Sequence, residues 1–337
     1  MPREFSHIPV VSIVIPAYNE ADCAQELISR LQRVFDSVDG IVFDCIIVEN
    51  GSVDGTGEIF RIAIGEDARF RLVKLSRNYG TDGGISVGLW CANGDACVIM
   101  NADLQDPPEL IPEFISKWLL GWNNVYGLIT NREGVTRSRR VLTGIFYNLI
   151  GWASEYPMPR NASDFRIVDR SVYRVAREMP ERRRFMRGIF AFIEPRSLGV
   201  PHVRPARFAG TSKISISVVG FAYGAILASS KKPLRILSIF GFVIALVAVV
   251  LLATLSLQFL TRGVPFDGFG TLIGINLLGF GFLAVFMGVI GEYLSMIFED
   301  SRSRPLFIVD GTASGDLDKS GSLRRLGPGF SERHDDR

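Results

Sequence analysis

Cysteine and histidine are scarce in this chain of 337 residues, with four of the first and three of the second. Cys23, Cys45, Cys91 and Cys97 form no C-x-x-C pair and have no histidine at metal-ligand spacing. That excludes a disulfide-stapled module and predicts reduced core thiols. His7, His202 and His334 are too scattered for a metal centre. Charge of one sign is also lacking: 37 Lys and Arg face 35 Asp and Glu, a net charge of +2. Such a balance gives no polyelectrolyte field, and nucleic acid is not expected as a partner. Residues 1–9 contain no apolar leader stretch, so no signal peptide is expected to carry the N-terminal region outward. Asn50 and Asn161 each begin an Asn-x-Ser match, discounted because a cytosolic region does not meet the glycosylation machinery.

Apolar residues are plentiful, at 47%, and the mean hydropathy is +0.24. They are concentrated. Residues 238–260 and 268–291 carry no charge, and each run exceeds the roughly 20 residues a helix needs to cross a hydrocarbon core. Lys231, Lys232 and Arg235 precede the first run and Arg302 and Arg304 follow the second, whereas the loop between holds only Arg262 beside Asp267. The positive-inside rule then predicts both termini in the cytosol. Three regions are expected: a cytosolic domain over 1–230, a two-helix transmembrane region over 231–298, and a cytosolic segment over 299–337. The last is Gly, Ser, Asp and Arg rich and is expected to be disordered from about 311.

Within the first region, β-rich apolar runs at 10–15, 43–48, 72–75, 96–100 and 125–130 alternate with segments of helical pattern. This predicts an α/β fold with a mostly parallel sheet covered on both faces. Ligands of such sheets lie beyond the carboxyl ends of the strands, so the loops 16–20, 49–56, 76–80 and 101–106 are expected to converge on one crevice. Apolar residues recur at helical spacing near 137–153, beneath Arg137, Arg139 and Arg140, and again near 214–229. Both stretches are candidates for amphipathic helices at a membrane interface or for core helices.

The strand-end motifs carry the chemistry. NADLQDP at 101–107 reads in part as a helix entrance, with Asp106 as N-cap, Pro107 at the first helical position and Glu109 in the first turn. Asp103 and Gln105 are left over, and a carboxylate at a strand end is well placed for a divalent cation on phosphates. SIVIPAYNE at 12–20, VENGSVDGT at 48–56, LSRNYG at 75–80 and NADLQDP occur in an order that resembles the family 2 glycosyltransferases of GT-A fold. DFR at 164–166, MPER to FMRG at 179–188, RFAGTSK at 207–213 and GEY at 291–293 narrow the resemblance to the polyprenyl-phosphate branch, similar to GtrB and dolichol-phosphate mannose synthase. It covers most of the chain.

The resemblance implies transfer of a sugar from a UDP- or GDP-linked donor to a polyprenyl phosphate, with inversion and a divalent cation, Mg or Mn. Pro16, Ala17, Tyr18, Glu20, Glu49, Gly51, Ser52, Asn101, Ala102 and Asp103 match the nucleotide-sugar segments. Asn101, Asp103 and Gln105 match the metal and diphosphate motif. Arg132, Arg139, Arg207, Ser212 and Lys213 match positions that meet phosphates, and Asp164 matches a carboxylate with a base or an orienting role. The resemblance further implies a multi-pass protein of the cell membrane, a homo-oligomer (a tetramer), and a flippase and downstream glycosyltransferase as partners. Two motifs depart from the family: Glu49-Asn50-Gly51-Ser52 stands where Asp-Asp-Gly-Ser is usual, and Asn101 stands where Asp is usual. Those departures keep a catalytically degenerate scaffold or flippase partner as the alternative. A processive polysaccharide synthase would bring a Q-x-x-R-W segment and more spans, and neither occurs in the chain.

Overall fold

The computed structural model describes residues 2–132, 161–182, 184–205, 232–262, 269–302, 305–310 and 324–326. Helices and strands alternate through the first part: β1 Val10–Ala17, α1 Ala21–Ser37, β2 Val42–Glu49, α2 Thr56–Ile64, β3 Phe70–Lys74, α3 Gly80–Cys91 and β4 Ala96–Ile99. A 3₁₀ turn at Pro108–Leu110 leads into α4 Ile111–Leu119. Then come β5 Asn124–Arg132, β6 Ala162–Asp169, α5 Arg170–Glu178, α6 Met186–Ile193 and β7 Leu198–Arg204. Seven strands form one sheet in the order β3-β2-β1-β4-β6-β5-β7.

β1 lies in the middle, parallel to both β2 and β4. Its sequence VVSIVIPA is almost uniformly buried, because a central strand covered on both faces needs a continuous β-branched run rather than an alternating one. Val11, Ile13 and Ile15 face one apolar layer with α1, Phe60 of α2 and Phe114 and Trp118 of α4. Val14 faces the other, with Ile85 and Val87 of α3, Val172 and Tyr173 of α5 and Phe190 of α6. α3 lies close on the sheet: a Cβ at Gly88 would fall 2.1 Å from Val14 Cγ1, and one at Gly84 2.8 Å from Pro16 Cβ.

The sheet is mostly parallel, as expected, with one exception. β6 runs antiparallel to β4 and to β5, and β5 is again parallel to β7. Cys23, Cys45 and Cys97 are free and buried and Cys91 half-buried, in keeping with reduced thiols. Burial pushes Cys91 up to about 11 and Cys45 and Cys97 also upward, which makes all three poor nucleophiles.

Beyond the sheet, α7 Lys232–Arg262 and α8 Phe269–Ser301 cover the two uncharged runs. They meet through Phe240, whose ring lies 5.5 Å from Phe282 and 6.2 Å from Phe286. Their outer surfaces are apolar and bare, with Phe242, Leu260, Leu278 and Val285 among the exposed side chains. Among the described residues one stretch, Leu278–Ser301 with mean hydropathy 1.8, is long and apolar enough to cross a membrane by length and composition. After α8 the chain forms β8 Phe307–Val309, which pairs antiparallel with β9 Arg324–Leu326. The stretches near 137–153 and 214–229, and the rest of the chain from 311, lie outside the described residues.

Candidate functional site

The parallel strands end at one edge of the sheet, and there the backbone turns back on itself. Asn50 N donates to Ala17 O at 2.9 Å, which ties the ends of β1 and β2 together. Asn50 itself is buried. Its Nδ2 donates to Gly80 O at 2.8 Å and its Oδ1 accepts from Tyr79 N at 2.9 Å. A carboxylate could satisfy only the second bond, so the asparagine that departs from the family pattern has a structural reason. Gly51 follows at φ +70°, and a Cβ on it would sit 2.6 Å from the carbonyl carbon of Arg77, so only glycine fits this close crossing. Ser52 Oγ accepts from Asn19 N at 3.0 Å, Val53 N donates to Asn19 Oδ1 at 3.0 Å, and Glu20 N donates to Thr56 Oγ1 at 2.9 Å. Loops 16–20, 49–56 and 76–80 therefore form one bonded unit.

Pro16, Ala17, Ala102 and Glu49 are buried, while Tyr18, Glu20, Gly51, Ser52, Asn101, Asp103 and Gln105 are half-buried along the edge. Glu49 Oε1 accepts from Ser52 N, and its Oε2 is buried with no hydrogen-bond partner. That acceptor is a buried polar atom left unsatisfied within the chain.

The other half is acidic and held by arginines. Asp106 is fully buried and is not a helix cap: its Oδ2 accepts from Asn101 N at 3.3 Å and Asn101 Nδ2 at 3.1 Å, and its Oδ1 from Ser163 Oγ at 3.3 Å. Pro107, in extended backbone, precedes the 3₁₀ turn instead. The expected helix entrance is present one residue later, with Pro108 first in the turn and Glu109 in it as expected, and the cap role fails because folding draws Asp106 inward to anchor Asn101. Burial, with Asp103 nearby, raises the Asp106 carboxyl above its ordinary range against the pull of Arg204. Between them Leu104 is buried at φ +59°, a backbone region that bulky L residues rarely occupy. Strain of this kind, of order 1–3 kcal/mol, persists where the surroundings over-determine the turn. Gln105 N donates to Asp103 Oδ1 at 3.2 Å and Gln105 Nε2 to Pro205 O at 3.3 Å.

Asp164 reaches the same edge because β6 runs the opposite way. Ile99, the last residue of β4, pairs with Arg166, so the start of β6, still paired with β5 as far as Ala162, runs on past the end of β4 and carries Asp164 there. Arg187, on the first turn of α6, grips both Asp164 oxygens at 2.5 Å. Burial raises the Asp164 carboxyl, but Arg187, Arg166 and Arg204 outweigh it and hold the group below its ordinary range. A carboxylate so held stays ionised and is a weak proton acceptor. Burial lowers Arg166 to about 10 against the attraction of Asp164. Asp82, in the first turn of α3, accepts from Met186 N at 3.3 Å. Burial first, and the charge of Asp164 second, push it up to about 7.

The sequence model of glycosyl transferase family 2 matches residues 12–176. An uncharacterized glycosyltransferase of Synechocystis sp. is 37% identical over 301 residues, 89% of this chain and 94% of that one. The chain belongs to glycosyl transferase family 2. It is also 31% identical to the prophage bactoprenol glucosyl transferase homolog of Escherichia coli, over 89% of this chain and 98% of the relative. A solved glucosyl-3-phosphoglycerate synthase from Mycobacterium tuberculosis, in complex with Mn2+, UDP and glucosyl-3-phosphoglycerate, is 20% identical with a TM-score of 0.46, covering 65% of this chain and 78% of that one.

In this glycosyltransferase the structure gathers the residues of 16–20, 49–52, 101–105 and Asp164 at one edge. Arg132 ends β5 opposite Arg204 in the backbone register, and Arg139, Arg207, Ser212 and Lys213 lie outside the described residues. Sequence reasoning assigned no role to Arg187, Arg166, Asp82 or Ser163, and took Asp106 for a helix cap. Arg166 and Arg187 sit inside DFR and FMRG, so the motifs marked the neighbourhood, but nothing in their spacing tells of a two-pronged grip between residues 23 positions apart.

Proposed function

We propose that this glycosyltransferase moves a hexose from a nucleotide sugar to the phosphate of a polyprenol, at the cytosolic face of the cell membrane and with inversion at the anomeric carbon. The carrying observation is that Asp103 and the arginine-clamped Asp164 lie at the same sheet edge, both within electrostatic reach of Asp106, in a chain that continues into two long helices with bare apolar surfaces. Relatives named for bactoprenol glucosyl transfer, matched over 97–98% of their length, support the polyprenol acceptor. In this reading 1–230 is the cytosolic catalytic domain, α7 and α8 both cross the bilayer, and 299–337 returns to the cytosol. The acceptor's phosphate stays at headgroup depth, which gives the membrane helices a purpose.

We assign loops 16–20 and 49–52 to the base and ribose of the donor. A divalent cation fits 101–105. Asp103 offers a carboxylate, and the amide nitrogens of Asn101 and Gln105 are already committed to Asp106 and Pro205 O, which leaves their carbonyl oxygens to serve. An all-oxygen set suits hard Mg or Mn, and when bound the ion would neutralise charge on the diphosphate. Arg132, Arg139, Arg207, Ser212 and Lys213 are assigned to donor and acceptor phosphates.

An acceptor phosphate monoester has a second pKa of about 6 and is mostly dianionic near neutral pH. One of its oxygens bonds to the anomeric carbon as the bond to the departing diphosphate breaks, and no strong base is required. Asp164, ionised and clamped, orients substrate, and Arg187 positions it. The test is incubation of membranes holding the protein with radiolabelled UDP- and GDP-sugars and undecaprenyl phosphate, followed by lipid extraction. A labelled lipid product from the wild type, lost by at least about a hundredfold in Asp103→Ala, is expected. Asp103→Ala turning over like the wild type would sink the assignment of this loop.

A further inference from the structure

The residues that follow α8 return to the catalytic edge. Val309 bridges antiparallel to Leu75, just past the end of β3. Ser76 N donates to Ile308 O at 3.1 Å, and Asp310 N donates to Lys74 O at 2.8 Å. Phe307 and Val309 are buried in the same apolar layer as Val48, Val73, Leu75 and Ile85. These contacts tie the end of β3 to a segment more than 200 residues further along the chain, through one isolated bridge and two backbone hydrogen bonds.

Phe307 touches the loop that closes the donor half of the site. Its ring meets Tyr79 edge-on at 5.9 Å. Tyr79 N is the donor that holds Asn50 Oδ1, Gly80 O accepts from Asn50 Nδ2, and the backbone of Arg77 is the surface against which Gly51 is pressed. The other clasps on Tyr79 are weak and open to solvent: the Arg77 guanidinium 4.9 Å from its ring, and a 3.3 Å contact between its hydroxyl and Ser76 Oγ. On its buried side Tyr79 lies with its Cβ against Gly83 of α3 and within the same apolar layer, and among the described residues Phe307 is the aromatic ring that meets it there.

We propose that the strap 305–310 is a positioning element of the donor site, with Phe307 holding loop 76–80 in the shape that seats loop 49–52. The inference rests on the reading of that edge as the nucleotide-sugar site. Its physical basis is preorganisation: a loop already fixed in the binding shape does not spend binding energy on its own ordering. The strap also leashes the donor edge to the membrane helix. Five residues lie between Ser301 and Phe307, a span of at most about 20 Å when fully extended, and Asp300 of α8 accepts from Arg182 N at 3.3 Å beside the catalytic domain. The donor site is thereby kept near the end of α8.

The experiment compares full-length wild type, Phe307→Ala and Phe307→Leu in detergent, with the nucleotide sugar that the wild type turns over and undecaprenyl phosphate. Phe307→Ala is expected to raise KM for the nucleotide sugar roughly tenfold while kcat and KM for the lipid stay within about twofold, and Phe307→Leu is expected to restore most of the loss. Amide hydrogen exchange at 76–80 should quicken in Phe307→Ala. An active Phe307→Ala with unchanged donor KM and unchanged exchange would overturn the inference alone. A uniform fall in kcat that follows thermal stability would also overturn it, because that is the mark of a merely structural residue. Failure of the wild type to turn over any nucleotide sugar would overturn the functional reading and the inference with it.

Discussion

Asn50 shows how a single side chain acts at this site. A departure from a family pattern reads in sequence as a weakened ligand; in the fold it is a two-way bridge, donating to Gly80 O and accepting from Tyr79 N. Asn50→Asp replaces the donor by a carboxylate facing a carbonyl oxygen, and the loss of a buried hydrogen bond of this kind costs about 1–3 kcal/mol. Urea unfolding should show that loss, and the KM for the nucleotide sugar should rise with it. Asp164 makes the complementary point, because a carboxylate in the position of a base is gripped by Arg187 and kept ionised. Motif reading found Asp164 and left its role open; the distance to Arg187 narrows it. Asp103 and Asn101 were legible for a simple reason: a short polar run directly after an apolar strand has few uses other than a turn or a ligand site.

At the scale of elements, glycine decides how near α3 approaches the sheet. Gly84 and Gly88 lie one turn apart on the face toward β1, and the Val14 side chain occupies the space a Cβ at 88 would need. Gly88→Ala is expected to destabilise by about 1–3 kcal/mol through overpacking, despite alanine's better helix propensity. Thermal unfolding would register a lowered Tm, and the double variant with Val14→Ala should recover part of it. β6 is the element the sequence did not disclose. Its alternation of apolar residues is compatible with either direction, and direction is set by pairing with β4 and β5. Only the antiparallel choice brings the start of β6, with Ser163 and Asp164, to the edge where the parallel strands end.

At the scale of the whole molecule, two carboxylates give stability opposite pH dependences. Asp82 is held near 7 in the folded chain, above its ordinary value near 3.8. Between those values the folded state retains a proton that the unfolded chain has released, so this group's contribution to stability falls as pH rises from about 4 to about 7 and is level above. Asp164 is lowered instead, so its contribution is present above its ordinary value and is lost as pH falls through the acid range. Asp82→Asn should therefore gain Tm relative to wild type progressively from about pH 4 to pH 7 in a pH series, and no further above it. A constant offset across that range would contradict the burial of Asp82 against Asp164. The sequence by itself determined the elements and their edge: apolar runs of period and length suited to strands, polar motifs at their ends, and two uncharged stretches, all of them local consequences of which residues adjoin. Tertiary structure decided the direction of β6, the grip of Arg187 on Asp164, the inward turn of Asp106 and the return of Phe307 to the loop 76–80. Each of these joins residues far apart in the chain, where geometry is fixed by packing and pairing and leaves no periodic trace in the order of amino acids.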